Sequence, residues 1–361
     1  MYYLLTVGIF ISAVSAQACD GTAQNIRGSW YCSAVDSIIY ANFDFSGSYN
    51  EITHMKNGSC SSHPKIYSGS LAPLNKEVCI LEVVLNEARR GKKNNVSWHF
   101  RGPLHLKQFA AYALSFDKYQ NNNEKWNRLA YYNAVMMKAD GLTFLNHHGG
   151  DESGVFDYEL GNSLSYASKD GHRGAKNSQV LADRMIPDNK EIIIMSNKKC
   201  RGSDCGVVRK GTIAYHGFSG KSKIFLMELS MPLTGKRGWN EDMPAAWILN
   251  ADIPRTLQYG KAECSCWASG CGELDVLEIL DAGNVRAKSS LHSSISGSDS
   301  NYFHRPVNKS IKVAIVFNTL TSSVHIKILN DSVVFKLSLL KADVNNLLSE
   351  GAFSSIFTLP S

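Results

Sequence analysis

One stretch of the 361-residue sequence decides how the rest is interpreted: Gly272-Glu273-Leu274-Asp275-Val276-Leu277-Glu278-Ile279. It places three carboxylates in a short run of apolar, partly β-branched residues. On a helix, Glu273 and Glu278 would lie about 140° apart and would share no face. On a regular strand, side chains alternate, so Glu273 and Asp275 point the same way while Glu278 points to the opposite face.

A β-bulge between Asp275 and Glu278 would remove this mismatch. A bulge inserts one residue, re-aims the side chains that follow, and occurs frequently beside active sites. All three acids would then line one face, while Val276 or Leu277 packs behind it together with Ile279. Two glutamates leaning inward would approach the separation of about 5–5.5 Å that retaining glycosidases need. The alternative is a solvated acidic face, against which the interleaved apolar residues argue.

The N-terminus has the features of a secretory signal peptide, which we place at residues 1–18. An apolar core at residues 4–11 is followed by the small-residue pattern Val14-Ser15-Ala16, although no positive residue precedes the core. The core is too short to span a bilayer, and no later apolar run is long enough. We therefore predict a secreted protein without a membrane segment.

The nine cysteines agree with an oxidising compartment, and their odd number leaves one that is free or paired between chains. We expect at least three disulfides. Cys200 and Cys205 are spaced to close a small loop, whereas Cys264, Cys266 and Cys271 crowd the segment before the acids. A bridge from this trio would fix the start of the acidic strand. A zinc site is the alternative interpretation of the same three residues.

Charge and sequons describe the expected surface. The formal net charge of +6 is small for this length, and the basic residues form no block, which argues against nucleic acid as a partner. Surface glycosylation is predicted at four Asn-x-Ser sequons, Asn57, Asn95, Asn308 and Asn330.

Short strands separated by turn signals recur along the chain and predict an all-β fold, a concanavalin-like β-jelly-roll sandwich preceded by a small disulfide-supported β module. The module covers residues 19–120, a polar linker covers residues 121–125, and the jelly roll covers residues 126–361. A short helix is predicted within residues 340–348. Strands are predicted at residues 37–43, 48–53, 96–100, 104–109, 142–145, 191–195, 212–215, 224–229, 245–249, 311–317 and 324–328. Those at 96–100 and 104–109 flank Gly102-Pro103 and are predicted to form a hairpin.

Two signatures give this chain a resemblance to a known family. Met243-Pro244-Ala245-Ala246-Trp247-Ile248-Leu249, followed by Gly272-Glu273-Leu274-Asp275-Val276-Leu277-Glu278, resembles the paired signature of the jelly-roll glucanases of glycoside hydrolase family sixteen. More closely, the chain resembles the target-of-SBF-like fungal cell-wall proteins. That likeness rests on Gly47-Ser48-Tyr49-Asn50, Ser70-Leu71-Ala72-Pro73-Leu74, His99-Phe100-Arg101-Gly102-Pro103, Ile253-Pro254-Arg255-Thr256-Leu257-Gln258-Tyr259-Gly260 and Cys264-Ser265-Cys266-Trp267.

The resemblance implies roles for the acids. Glu273 matches the nucleophile, Glu278 the general acid and base, and Asp275 the residue between them. These roles agree with the chemistry, because a retaining mechanism needs one ionised and one protonated carboxyl, and a third carboxylate raises the pKa of the acid. His292 falls where the glucanases often carry a histidine near the nucleophile; the alternative is a histidine of a surface loop.

Aromatic faces bind the apolar faces of sugars, and Trp247 and Trp267 are the candidates for this role. Trp247 lies in an apolar strand, so core packing is an equal alternative. Trp267 lies among cysteines beside the acids, which favours the cleft.

These observations predict a secreted enzyme of the cell wall that cleaves β-1,3-glucan with retention. We expect a monomer that needs no cofactor and no metal, whose partner is the β-glucan polysaccharide. Two alternatives remain open at this point, a glucan transglycosylase and a structural wall protein that binds glucan without cleaving it.

Overall fold

The protein is an all-β sandwich. The computed structural model describes residue 19 and residues 22–56, 58–74, 95–115, 125–149 and 152–360. The predicted signal peptide, residues 1–18, and the linker residues 121–124 lie outside these residues. Two large sheets contain most of the strands, and short helices occupy connections between them.

In chain order the strands are β1 Gln24–Ile26, β2 Ser29–Tyr31, β3 Ser37–Ala41, β4 Gly47–Lys56, β5 Ser59–Tyr67, β6 Val96–Arg101, β7 His105–Ser115, β8 Lys125–Asn133, β9 Lys138–Asp140, β10 Leu142–Asn146, β11 Phe156–Asp157, β12 Gly161–Asn162, β13 Ser165–Ala167, β14 Gly174–Ala175, β15 Glu191–Ser196, β16 Lys223–Ser230, β17 Ala245–Asn250, β18 Glu273–Glu278, β19 Arg286–His292, β20 Gly297–Ser298, β21 Phe303–His304, β22 Ile311–Asn318, β23 Ser323–Leu329, β24 Ser338–Leu340 and β25 Ser354–Thr358. The α-helices are α1 Asp252–Thr256 and α2 Lys341–Leu348. Two 3-10 helices cover Ala262–Cys264 and Cys266–Ser269.

The front sheet has the strand order β14-β13-β10-β15-β6-β17-β18-β19-β20, with β21 pairing with β19. The back sheet has the order β24-β8-β7-β16-β22-β23-β3-β25, with β9 pairing with β8. Three two-stranded ribbons, β1-β2, β4-β5 and β11-β12, lie outside both. The acidic strand is therefore β18, an interior strand of the front sheet.

An aromatic core joins the two sheets. Trp98 of β6, in the front sheet, meets Phe109 and Phe225 of the back sheet edge-on, with ring centroids 6.0 and 5.4 Å apart. All three side chains are buried. Edge-to-face pairs of this kind add about 0.5–1.5 kcal/mol each beyond the burial of their area. The sandwich is therefore held through its centre, directly behind the strands that carry the acids.

The back sheet is also covered on its outer face. Val344 and Leu347 of α2 pack in a second buried cluster with Ile224 of β16 and Val316 of β22. The helix predicted within residues 340–348 is confirmed as α2. Because this sheet is buried on both faces, β16 and β22 have near-continuous apolar sequences instead of strict alternation.

The sheets do not follow the predicted division of the chain near residue 121. β6 lies between β15 and β17, and β7 lies between β8 and β16, so strands from both sides of the linker are neighbours in both sheets. In the described part of residues 19–120, the ribbons β1-β2 and β4-β5 belong to neither large sheet, and β4-β5 packs beside the 3-10 helices that precede the acids. The polar composition of residues 121–125 indicates a turn, but it does not determine which strands pair, because strand partners can be far apart in sequence.

The predicted hairpin at Gly102-Pro103 is wrong. β6 belongs to the front sheet and β7 to the back sheet, so the chain between them passes from one sheet to the other. In this connection Gly102 and Leu104 make isolated bridges to Asp188 and Ile186. β6 is buried over most of its length, as expected for a central strand. Residues 212–215, predicted as a strand, make only an isolated bridge through Tyr215.

Within the described residues, four disulfides confirm the expectation of at least three, and they are Cys19–Cys32, Cys60–Cys264, Cys200–Cys205 and Cys266–Cys271. Cys200 and Cys205 pair as predicted. Two bridges involve the trio before the acids, so the alternative of a zinc site there is wrong. Cys79 lies outside the described residues.

Two further surface expectations can be compared with the structure. Asn308 and Asn330 are exposed, whereas Asn95 is only 6% exposed, which leaves no room for a glycan there in the folded protein. Asn57 lies outside the described residues. None of the described helices is long and apolar enough to cross a bilayer.

The disulfides allow a prediction about stability. The Cys60–Cys264 bridge spans 204 residues and the Cys200–Cys205 bridge spans 5. Loop-closure entropy then gives about 5 kcal/mol for the long loop and about 2 kcal/mol for the short one. We expect the double variant Cys60→Ala/Cys264→Ala to lose roughly twice as much unfolding free energy as Cys200→Ala/Cys205→Ala, measured by denaturant titration. Equal losses would contradict this reasoning.

Candidate active site

The bulge predicted in the acidic strand is present in β18. On one side, Trp247 and Ala246 of β17 pair with Asp275 and Leu277, so Val276 is the extra residue. The register with β19 shifts at the same place, between Asp275 and Glu278. The bulge restores the alternation so that Glu278 returns to the face of the other two acids.

The consequence is a cleft on the outer face of the front sheet, which encloses about 550 Å³ open to solvent. Glu273, Asp275 and Glu278 all line it, which confirms the predicted shared face. Leu274 and Val276 are completely buried in the core behind it. The other lining residues are Arg101, Trp247, Leu249, Gln258, Tyr259 and Trp267.

Asp275 forms an ion pair with His292 at the centre of the cleft. Asp275 is nearly buried, and its Oδ2 lies 3.0 Å from His292 Nε2 at the end of β19. Burial alone would lower the pKa of His292, but the hydrogen bond to Asp275 and the nearby carboxylates raise it to about 9. The half-exposed His292 ring therefore carries a positive charge near neutral pH, directly beside the acids.

The two glutamates hold protons more strongly than exposed carboxyls. Burial, and then the negative charge of Asp275, raises the pKa of both Glu273 and Glu278 well above the ordinary value of an exposed carboxyl. Because they interact through shared neighbours, the two groups titrate as a unit, with protons leaving in steps that belong to the cluster. At neutral pH the cluster can hold both a carboxylate and a carboxylic acid.

Hydrogen bonds distinguish the two glutamates. The Trp267 indole Nε1–H donates to Glu273 Oε2. An indole can only donate, so this contact favours the ionised form of Glu273. Glu278 instead has the Arg101 guanidinium at 3.4 Å from its Oε1, at the limit of hydrogen bonding.

Sequence reasoning did not identify Arg101 as a site residue, although its segment contributed to the resemblance. Arg101, Ala245 and Glu278 lie in one row across β6, β17 and β18. The small Ala245 side chain lets the arginine extend over it toward Glu278. Arg101 Nε also donates to the carbonyl of Met243 at 2.8 Å, which fixes the guanidinium. Only strand register could have revealed this neighbour.

The two tryptophans predicted to bind sugar differ in exposure. Trp267 is 48% exposed and sits on the 3-10 helix Cys266–Ser269, closed by the Cys266–Cys271 bridge. Trp247 is 4% exposed, and its ring stacks on His99 with centroids 5.2 Å apart. Both line the cleft. Trp247 thus packs in the core and also forms part of the floor of the cleft, whereas the ring of Trp267 is accessible to a ligand.

A further acid beside the cleft, Glu191, lies behind one wall with its side chain 14% exposed and was not predicted. Its carboxylate accepts from His99 at 2.7 Å, from Gln258 at 2.9 Å and from Tyr259 at 2.8 Å. Burial would raise the pKa of Glu191, but the hydrogen bond and charge of His99 outweigh it and lower that pKa to about 2. An isolated glutamate at the start of a strand carries no sequence signal for this role.

The possibility of a metal site was tested on the described residues. Their metal-type ligand atoms converge within 4.8 Å at Cys200, Asp204, Cys205 and His216. The two sulfurs there are joined in a disulfide, so they cannot act as thiolate ligands to a metal. His216 is held by Asp204 at 3.1 Å. This cluster does not fit a metal.

Comparison with known proteins identifies the family. A family model described as cell wall protein YJL171C/Tos1, C-terminal, matches residues 124–347, and the N-terminal model of the same family matches residues 36–81. No solved structure gives a significant match.

Three curated relatives illustrate the likeness. A protein of Arthroderma benhamiae named "Probable circularly permuted 1,3-beta-glucanase" is 34% identical, over 100% of both chains. The Saccharomyces cerevisiae protein of the same name, with the suffix TOS1, is 32% identical over 89% of this chain and 91% of its own. The Candida albicans protein of the same name, with the suffix PGA52, is 39% identical over 73% of this chain and 67% of its own. The extent of these matches shows that the chain belongs to the YJL171C/Tos1 family of cell wall proteins.

Proposed function

We propose that this protein is a secreted cell-wall enzyme that cleaves β-1,3-glucan with retention of configuration. The observation that carries the proposal is the bulge at Val276, which brings Glu273, Asp275 and Glu278 onto one face of an open cleft. The names of the relatives, which describe 1,3-β-glucanases, support the choice of substrate. The disulfides and the N-terminal signal pattern support secretion.

In the first step of the proposed reaction, the Glu273 carboxylate attacks the anomeric carbon and the glycosidic bond breaks. Glu278 gives its proton to the leaving oxygen at the same time. The product is a glycosyl-enzyme ester of inverted configuration. The Trp267 indole N–H, which donates to Glu273, keeps this carboxylate oriented before the attack.

In the second step, Glu278, now a carboxylate, takes a proton from water as the water attacks the same carbon. The ester bond to Glu273 breaks, and the second inversion restores the β configuration. Asp275 makes no bond in either step. Together with burial, its charge raises the pKa of Glu278, so that part of the Glu278 population is protonated near neutral pH, and its contact with His292 holds Asp275 in place.

The test is incubation of the mature protein with laminarin-type oligosaccharides, with measurement of new reducing ends and of longer products. New reducing ends alone indicate hydrolysis, and longer products indicate transfer to a sugar acceptor instead of water. An unchanged substrate would contradict the proposal and favour a binding protein.

The first catalytic prediction concerns Glu278. We expect Glu278→Ala to lose natural-glucan cleavage by several orders of magnitude, because the proton donor is missing. An activated aryl β-glycoside needs no protonation, so it still forms the glycosyl-enzyme. Added azide then speeds turnover by attacking without base assistance and gives a β-glycosyl azide.

The matched variant is Glu273→Ala. It removes the nucleophile, so azide attacks directly and gives the α product. Glu263→Ala, at an exposed acid of the neighbouring 3-10 helix, is the control and is expected to behave like the parent. A β product from Glu273→Ala, or identical behaviour of the two glutamate variants, would show that the roles are wrongly assigned.

A second prediction concerns pH. Activity needs the protonated acid, so it is expected to fall as pH rises through the raised pKa of Glu278, about 7. Asp275→Asn removes a negative charge that raises this pKa and moves the falling limb to lower pH. His292→Gln removes a positive charge that lowers it and moves the limb to higher pH. The profiles of kcat/KM against pH measure both shifts, and shifts in the same direction would contradict the electrostatic assignment.

A further inference from the structure

A second section of the cleft adjoins the acids but contains none of them. It encloses about 530 Å³ open to solvent and shares Gln258 and Tyr259 with the catalytic section. The two sections are therefore neighbours, with these residues at the junction between them. The second section is also lined by His147, Asn162 and Ser163.

No charged side chain is among the described residues that line this second section. Burial lowers the pKa of His147 to about 4, so its imidazole is neutral at neutral pH. It then offers one donor and one acceptor, and the amide and hydroxyl groups beside it offer more. A neutral ligand rich in hydroxyl groups matches this lining, whereas an anion would find no cation in it.

Two side chains here carry polar atoms without a hydrogen-bond partner. Among the described residues, the buried Oε1 of Gln258 and both ring nitrogens of His147 make no hydrogen bond of acceptable geometry. Buried polar atoms left without partners cost free energy and call for an explanation. Hydroxyl groups of a bound ligand, or the water they replace, would satisfy them.

Tyr259 supplies an exposed aromatic surface at the junction. The residue is 59% exposed, yet its hydroxyl donates to the Glu191 carboxylate at 2.8 Å. The loop that carries it is fixed on one side by α1, where buried Arg255 donates to the Tyr215 carbonyl. The Cys60–Cys264 bridge fixes the other side. A pre-oriented ring loses little entropy when a sugar packs on it.

We propose that this second section is a sugar-binding site that holds the glucosyl residues next to the bond being cleaved, with Tyr259 as its stacking surface. This inference extends the proposed function, and the identity of the sugar rests on that proposed function. Glu191 acts as a positioning residue, because it holds Gln258 and Tyr259 through hydrogen bonds and never faces the reacting atoms.

The test compares the binding of laminari-oligosaccharides of two and six units by calorimetry, in a Glu278→Gln background that prevents turnover. A short ligand occupies one section and a long ligand occupies both. We expect Tyr259→Ala to reduce the gain in affinity from two to six units about tenfold, the equivalent of about 1.4 kcal/mol. Tyr259→Phe keeps the ring and should lose less.

Two further variants make the test specific. Asn162→Ala removes an amide from the second section only and should also reduce the gain with chain length. Tyr158→Ala is the matched control, because Tyr158 is fully exposed on the same ribbon and packs on Phe156 outside the lining. It should leave both affinities unchanged.

The outcomes separate this inference from the proposed function. If the parent cleaves laminarin but Tyr259→Ala and Asn162→Ala keep the full gain in affinity, the second section is not a sugar site. If the parent cleaves nothing while the gain depends on Tyr259, the sugar site stands and the catalytic proposal falls. If the Glu278→Gln protein itself shows no gain in affinity from two to six units, the inference is overturned directly.

Discussion

The site depends on one extra residue in one strand. Val276 has no partner of its own in β17, and its insertion turns Glu278 back to the face of Glu273 and Asp275. Without it, Glu278 would point into a core where Leu274 and Leu277 are completely buried. An unpaired buried carboxylate is costly. The core therefore enforces the bulge: the apolar residues on both sides of it can be buried only in this register.

The bulge also concentrates negative charge in the cleft, and neighbouring cationic side chains compensate part of it. It crowds three carboxylates, whose mutual repulsion and burial favour protonation. His292 forms an ion pair with Asp275, and the Arg101 guanidinium approaches Glu278, so two cations offset part of this negative charge while the two glutamates keep elevated pKa values. Glu191 has a cationic-type partner of its own, because it accepts a hydrogen bond from His99 at 2.7 Å.

Local patterns in the sequence were sufficient to predict β18 and its bulge, because three acids and their apolar neighbours lie within six consecutive positions. They were sufficient for α2 and for the Cys200–Cys205 bridge for the same reason. They failed where partners are remote: β6 and β7 look like a hairpin but belong to different sheets, and Arg101 reaches Glu278 only through strand register. Glu191 carries no local signal, since its hydrogen bonds to His99 and Tyr259 exist only after the sheets assemble.

The order of strands along the chain explains why the predicted division at residue 121 did not appear. β3, near the start of the described chain, pairs in parallel with β25 near its end, so the two ends of the sandwich are neighbours. When chain ends are neighbours, the same sheets can be built from a different starting point in sequence. β6 can then precede the acidic strand by more than 170 residues and still lie one strand away from it, across β17. The cost is that the cleft forms only when long loops have closed, and slow folding through non-local contacts is expected of such a topology. The Cys60–Cys264 bridge joins the first part of the chain to the segment beside the acids, and so it holds a loop of 204 residues closed once the site has formed.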